Sequence, residues 1–316
     1  MRLYLLLIIS LNVSQTQAQY APAAGLAGST AIAYNSNQII DWATACEIKR
    51  GWQQIDDTLL GKTTVGSYMS AIGSYDSEVV SLGDGGEAIL QFTHPISNKD
   101  GFDFVVFENA FSTNFLELAH VEVSTDGINY VRFCSHSLTQ DTLQTDTFGD
   151  SEPELLHNIA GKYKSGFGTP FDLDELKYEN TIDISAIKFV KVIDVIGTIN
   201  ADYASFDCYF NSINDPYPTP FASGGFDLEA VGVINNDNYN TTIVDETMVE
   251  YVHTTNDEIQ VKTNVLARLQ VFDATGKLLK LSSDNTNHAV QINPTNQLLL
   301  LHLTYKNKLK IIKIIH

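Results

Sequence analysis

The chain has 316 residues, 44% hydrophobic and 18% charged, which is enough apolar material for an ordinary core and too much for a disordered chain. Its formal net charge is −19, from 38 Asp and Glu against 19 Lys and Arg. That balance excludes a general affinity for nucleic acid, because neutralising phosphates needs cationic side chains, and it suits cations such as calcium as well as plain solubility.

Taken in order, the chain begins with a targeting segment. Arg2 is its positive start, residues 3–13 its apolar stretch, and Thr16-Gln17-Ala18 its cleavage site, so residues 1–18 read as a signal peptide and the mature chain starts at Gln19. The apolar run is too short for a stable bilayer anchor, and no cysteine near the cut offers a lipid attachment. No later stretch reads as a transmembrane segment. The length suggests two domains, predicted at residues 19–234 and 245–316 with a polar linker over 235–244.

Residues 20–30, rich in Ala, Gly and Pro, are predicted to be extended. Residues 39–48 are predicted as a short helix, with Ile40, Ala43 and Ile48 on one face. Trp42 and Trp52 flank it, as packing under a sheet edge or as ligand platforms. The organising stretch is 79–133. Ala88, Leu90 and Phe92 alternate with Glu87 and Gln91, the period of a half-buried strand. Residues 104–107 are wholly apolar and read as a strand buried on both faces. Residues 119–124 form a third strand, turning at Asp126-Gly127 into Asn129–Phe133; His120 is predicted to face solvent on it.

The strand pattern lapses over 135–181. Residues 139–150 read as a loop, 153–160 as a short helix, and 161–170 as an aromatic, glycine-rich loop. Residues 187–197 form a central strand with Asp194 in its middle, where a carboxylate needs a partner. A turn-rich loop over 200–225 leads to the last strand, where Phe226, Leu228 and Ala230 face one way and Asp227 and Glu229 outward. In the tail, 269–272 turns at 273–276 into 277–280, and 298–304 pairs with 309–315. Strands of this length, without long helices between them, predict an all-β chain: a jelly-roll-like β-sandwich followed by a small C-terminal β-sandwich. Nearly all the acidity lies in the first part, since residues 240–316 hold eight Lys or Arg against seven Asp or Glu.

Three cysteines, Cys46, Cys134 and Cys208, leave one unpaired in any disulfide arrangement, and their pairing stays open. No Gly-x-Ser-x-Gly elbow, His-Glu-x-x-His helix or phosphate loop is present, and the histidines are not at ligand spacing. The expected function is non-catalytic binding of a glycan or other small extracellular ligand. Tyr163, Phe167 and Tyr217 would supply stacking faces, with Asn214 and Asp215 the hydrogen bonds. Corrinoid (cobalamin) capture, adhesion or surface structure, and hydrolysis by a carboxylate pair are the alternatives. A structural calcium is expected at Asp84, Glu108, Asp194, Asp227 and Glu229, since calcium wants six to eight oxygens in flexible geometry. Turn capping by these residues is the competing reading.

Two resemblances add to this. The tail, with Val271-Phe272-Asp273-Ala274-Thr275-Gly276-Lys277, a hydrophobic strand, and Lys308, Lys310 and Lys313 in a closing strand, resembles the type A C-terminal sorting domain of the type IX secretion system. Glu250-Tyr251-Val252 stands where that family usually opens with Asn-Pro. The resemblance implies a Bacteroidetes-type bacterium, the type IX machinery as partner, and a protein secreted or held at the outer cell surface. Residues 20–234 resemble a family of bacterial cell-surface proteins without established activity, through Tyr20–Gly25, Ser81–Gly86, Phe104–Phe111, Ala160–Tyr163 and Gly224–Val231. The closing strand 226–231 also looks like the last strand of galactose-binding-like jelly rolls, which often hold one structural calcium.

Overall fold

The computed structural model of the protein describes residues 20–236, 249–254, 258–291, 298–305 and 308–315. The expected leader and residues 237–244 of the expected linker lie outside these. The chain forms two compact units, residues 1–239 and 240–316. No helix among the described residues is long and apolar enough to cross a membrane.

The first unit contains strands β1 (Ile32–Ala33), β2 (Asp41–Trp42), β3 (Ala45–Lys49), β4 (Val80–Ser81), β5 (Glu87–Ile96), β6 (Phe104–Glu108), β7 (Ala119–Ser124), β8 (Val131–Arg132), β9 (His136–Ser137), β10 (Leu156–His157), β11 (Phe167–Phe171), β12 (Ile187–Asp194) and β13 (Asp227–Val233). One antiparallel sheet runs β1-β11-β6-β13-β2, with β4 also on β13. The other runs β3-β5-β12-β7-β8. Phe104, Val106, Leu228 and Val233 of the first sheet share one core with Leu90, Val121, Val190 and Val192 of the second, so the unit is a β-sandwich.

The apolar centre of β6 now has its reason. Phe104 and Val106 point into the sandwich, while Val105 and Phe107 pack on a second cluster with Ile32, Ile39, Trp42 and Tyr75. The outer face of this sheet is covered by the N-terminal segment and the loop before β4.

Four expectations need correction. Residues 39–48 form strands rather than a helix. Cys46 and Ile48 pair with Leu90 and Ala88 of β5, and the ladder overrides the local spacing of apolar residues. Phe167 lies on a strand, not a loop, pairing with β1 and β6. Over 153–160 only Pro153–Leu155 is helical, as one 3₁₀ turn. His120 lies on the face of β7 away from the sandwich core, as alternation predicts, but that face is covered and the residue is buried rather than facing solvent. Ser135 packs against it, with Oγ 3.2 Å from His120 Nδ1, in the segment that the Cys134–Cys208 disulfide ties down. Cys46 is the unpaired cysteine.

The second unit contains β14 (Val249–Thr254), β15 (Glu258–Asp273), β16 (Leu278–Gln291), β17 (Leu298–Tyr305) and β18 (Lys308–Ile315), in an antiparallel sheet. Long β15 pairs with β16 on one side, and with β14 then β17 on the other. Val261, Leu269, Val271, Leu301 and Leu303 fill its own core. The 273–276 turn is closed by Asp273, whose Oδ1 accepts from the N–H groups of Thr275 and Lys277.

Candidate functional site

Antiparallel pairing brings particular strand ends together. Glu108 ends β6 opposite Leu228, near the start of β13, while Asp194 ends β12 opposite Ala119, the start of β7. The 83–86 turn enters β5 at the same place, since Asp194 N–H donates to Gly86 O. The two sheets are tied here through Asp194, whose Oδ1 accepts from Phe226 N–H at 2.7 Å and Oδ2 from Gly85 N–H at 3.1 Å. Gly225 makes that approach possible: its φ is +69°, and a Cβ there would lie 2.5 Å from Asp194 Oδ1.

One end of the sandwich therefore gathers seven carboxylates: Asp84, Glu108, Glu117, Asp194, Asp215, Asp227 and Glu229. All are buried except Glu117, which is half-buried. Asp227 and Glu229 do face away from Leu228, yet that side is covered rather than open, and a register shift between Leu228 and Ala230 turns Ala230 to the outer cluster instead of the face it was expected to share with Phe226 and Leu228. Asp84 Oδ2 accepts from Ile55 N–H at 2.8 Å, and Asp215 Oδ2 from Leu118 N–H at 2.8 Å. Glu108 Oε2 accepts from Ala110 N–H at 2.8 Å. The partner oxygens Glu108 Oε1 and Asp215 Oδ1, together with Asp227 Oδ1 and Glu229 Oε2, accept no hydrogen bond from the protein. Among the described residues none of the seven is in an ion pair. Arg50, whose charge is felt by Asp227, spends its guanidinium on the carbonyls of Val65, Gly66 and Ser81.

The electrostatic consequence is a set of carboxyls resisting ionisation. Burial pushes Asp84 and Glu229 up to about 7 and Asp227 to about 6. Burial also holds Glu108, Asp194 and Asp215 well above the usual carboxylate range. Glu117 is raised likewise, by burial and then by the fields of Asp227, Asp215 and Asp194. Among the described residues no three acidic, His or Cys side chains lie where they could hold a metal ion.

The five expected metal residues are thus brought to one end, but they are not equivalent. Both oxygens of Asp194 are taken by backbone N–H groups, which makes it a tie between the two sheets. Glu117 was missed. It sits in a stretch, Phe115-Leu116-Glu117-Leu118, with no turn or strand signal, and only the fold sets it among the other acids.

The expected ligand residues fare differently. Tyr163 is buried with 1% exposure, its hydroxyl 2.8 Å from Thr30 Oγ1, so it offers no stacking face. Tyr217 is also buried, and Phe167 is half-buried on β11. Asn214 is a staple: its Oδ1 accepts from Thr145 N–H, and its Nδ2 donates to Gln140 O and Leu143 O. Asp215 is buried beneath the loops.

The exposed aromatic surface is elsewhere. Phe111 and Phe115 stack with centroids 6.0 Å apart, Phe115 lies 6.3 Å from Phe148, and Phe148 stacks 6.0 Å from Phe221. Phe111, Phe148 and Phe221 are 81%, 72% and 41% exposed. The row spans three loops, 109–118, 139–151 and 213–226. They interlock through Ser151 N–H to Asn114 O, Tyr217 N–H to Thr145 O, and Thr147 Oγ1 to Pro218 O. These loops contain five Asp or Glu and no Lys or Arg.

Searches of protein-family models and of curated proteins return no match. Among solved structures, a Ruminococcus gnavus beta-glucuronidase is similar at 11% identity and TM-score 0.24, over 88% of this chain and 43% of that one. A Lactobacillus rhamnosus beta-glucuronidase is similar at 11% identity and TM-score 0.20, over 87% and 45%. The BSP domain of a biofilm associated protein is similar at 10% identity and TM-score 0.18, over 89% and 52%. The chain spans less than half the length of these glucuronidases. At such scores the fold rests on the strand pairing described above, and the likeness assigns no activity.

Proposed function

We propose that this chain is an exported, non-catalytic binding protein whose first unit takes an uncharged glycan on the Phe111–Phe115–Phe148–Phe221 row. The observation that carries this reading is the row itself: four phenylalanine rings in sequence, three of them exposed, on loops stapled to one another. Aromatic faces stack against the C–H faces of sugars, and stapled loops lose little freedom on binding. The exposed acids of these loops, Asp141, Asp146 and Asp150, with no Lys or Arg among them, repel sulfated or uronic-acid chains and phosphorylated lipid head groups, which leaves neutral sugars.

The test is a glycan array probed with the full chain, with a cobalamin titration alongside. Neutral glycans should be retained and Phe148→Ala with Phe221→Ala should abolish retention. Binding confined to anionic glycans or cobalamin, or undiminished in the double variant, would overturn this reading. The tail is proposed as the export signal, supported by its sorting-domain motifs and near-neutral charge. A chain lacking residues 241–316 should then stay in the periplasm, and its appearance at the cell surface would sink the assignment.

A further inference from the structure

We infer that the Phe111–Phe115–Phe148–Phe221 row takes the interior of a linear neutral polysaccharide, several consecutive sugars at a time, and not a free sugar or a chain end. The inference rests on the neutral-glycan reading of the row and adds to it the form of the ligand.

The first argument is the shape of the row. Its ring-to-ring steps are 6.0, 6.3 and 6.0 Å. Among the described residues these four rings touch one another only as neighbours in this order, so they are strung out and not gathered round one point. Each step is comparable to one pyranose unit along an extended chain. One sugar can cover one ring, and covering the row takes several linked sugars.

The second argument is exposure. Phe111 and Phe148 are 81% and 72% exposed, so no wall stands over them and a ligand lying there is touched from one side. Sites for free small molecules are concave and bury most of the ligand. A single stacked sugar gains too little to offset the freedom it loses on binding. In a chain the later contacts form within a molecule already held, so weak contacts add. An open face also lets a long chain run on past the row.

The backbone holds the rings in place. Phe115 N–H donates to Ser112 Oγ at 2.8 Å, Gly149 N–H, next to Phe148, donates to Asp146 O at 2.8 Å, and Phe221 N–H donates to Thr219 O at 2.7 Å. The row is thus set before the ligand arrives. Polar side chains of the same loops are spent within them: Thr147 on Pro218, and Asn214 on Gln140, Leu143 and Thr145. Stacking is left as the main source of affinity. It favours sugars with equatorial hydroxyls, whose axial C–H groups form flat apolar faces, as in β-linked glucans and xylans.

The full chain should be run through native gels containing a linear β-glucan, a xylan or a mannan. It should then be titrated by calorimetry with oligosaccharides of the retarding polymer, from the single sugar to the hexasaccharide. Retardation by at least one polymer is expected. Affinity should rise about two- to tenfold with each added sugar and level off once the oligosaccharide outruns the row. Phe111→Ala, which removes a largely exposed end ring, should level off at a shorter chain with an unchanged melting temperature. Phe221→Ala should shorten the series from the other end. Tyr178→Ala, at an aromatic 84% exposed outside the row, should leave the series unchanged. Equal affinity for the single sugar and the hexasaccharide, a levelling length that neither end variant moves, or retention of short neutral glycans but of no polymer would each overturn this inference and leave the neutral-glycan reading in place. Failure to bind any neutral glycan would remove both.

Discussion

β6 has a buried acid at each end, and the fold treats them differently. At its start, Asp103 is saturated: Oδ1 accepts from Lys99 N–H at 2.9 Å and from Asn235 Nδ2 at 3.0 Å, and Oδ2 accepts from Leu173 N–H at 2.8 Å. At its end, Glu108 has one backbone donor and one bare oxygen. Burial disfavours the charge of both, but only at Asp103 do three donors oppose it. The difference teaches how to sort buried carboxylates. One whose oxygens are filled by the chain is a joint of the fold. One with a single backbone donor and a bare oxygen among other acids ties down less of the chain.

The sharpest way to break that comparison is to remove each acid. Asp103→Ala strands three donors in the interior and should destabilise by about 3 kcal/mol or more, read from urea unfolding. Glu108→Gln should change stability by no more than about 1 kcal/mol, since the amide keeps an oxygen for Ala110 N–H and is spared the neighbouring acids' fields. Equal losses at the two positions would mean that Glu108 is a joint as well.

A smaller effect comes from His120, a buried base rather than a buried acid. Burial and then the nearby Arg132 charge pull it down to about 4, against the opposing fields of Glu122 and Asp207. Its imidazole stays neutral in the folded chain where the unfolded chain already takes up a proton near pH 6.5. Its contribution is therefore complete above that pH and is lost as pH falls from 6.5 through about 4. The stability gap between parent and His120→Gln should shrink by about 2 kcal/mol between pH 7 and pH 4.5. A gap independent of pH would show that this histidine titrates normally.

The smallest expected effect lies on the phenylalanine row. Phe148 is 72% exposed, so Phe148→Ala should shift stability by less than about 0.5 kcal/mol while weakening glycan retention. A loss of several kcal/mol would recast the row as core of the loop end rather than a binding face.

What the sequence determined by itself is the set of long strands and their turns. Alternation over 87–92, the unbroken apolar run 104–107, the Asp126-Gly127 turn and the closing strand at 227–233 are local patterns, and local patterns survive into the fold. What only the tertiary structure decided is what covers each face and which ends meet. His120 and the outward pair Asp227 and Glu229 alternate correctly, but period two names a side of the sheet, not whether that side is wet. Residues 39–48 took the ladders offered by β13 and β5 over a helix that their spacing allowed. Cys134 found Cys208 across 74 positions. Glu117 joined acids from four distant segments, and Phe111, Phe115, Phe148 and Phe221 formed a row from three loops. These are contacts between residues far apart in the chain. No period or propensity encodes them, because they arise when antiparallel strands of two sheets deliver their ends to the same place.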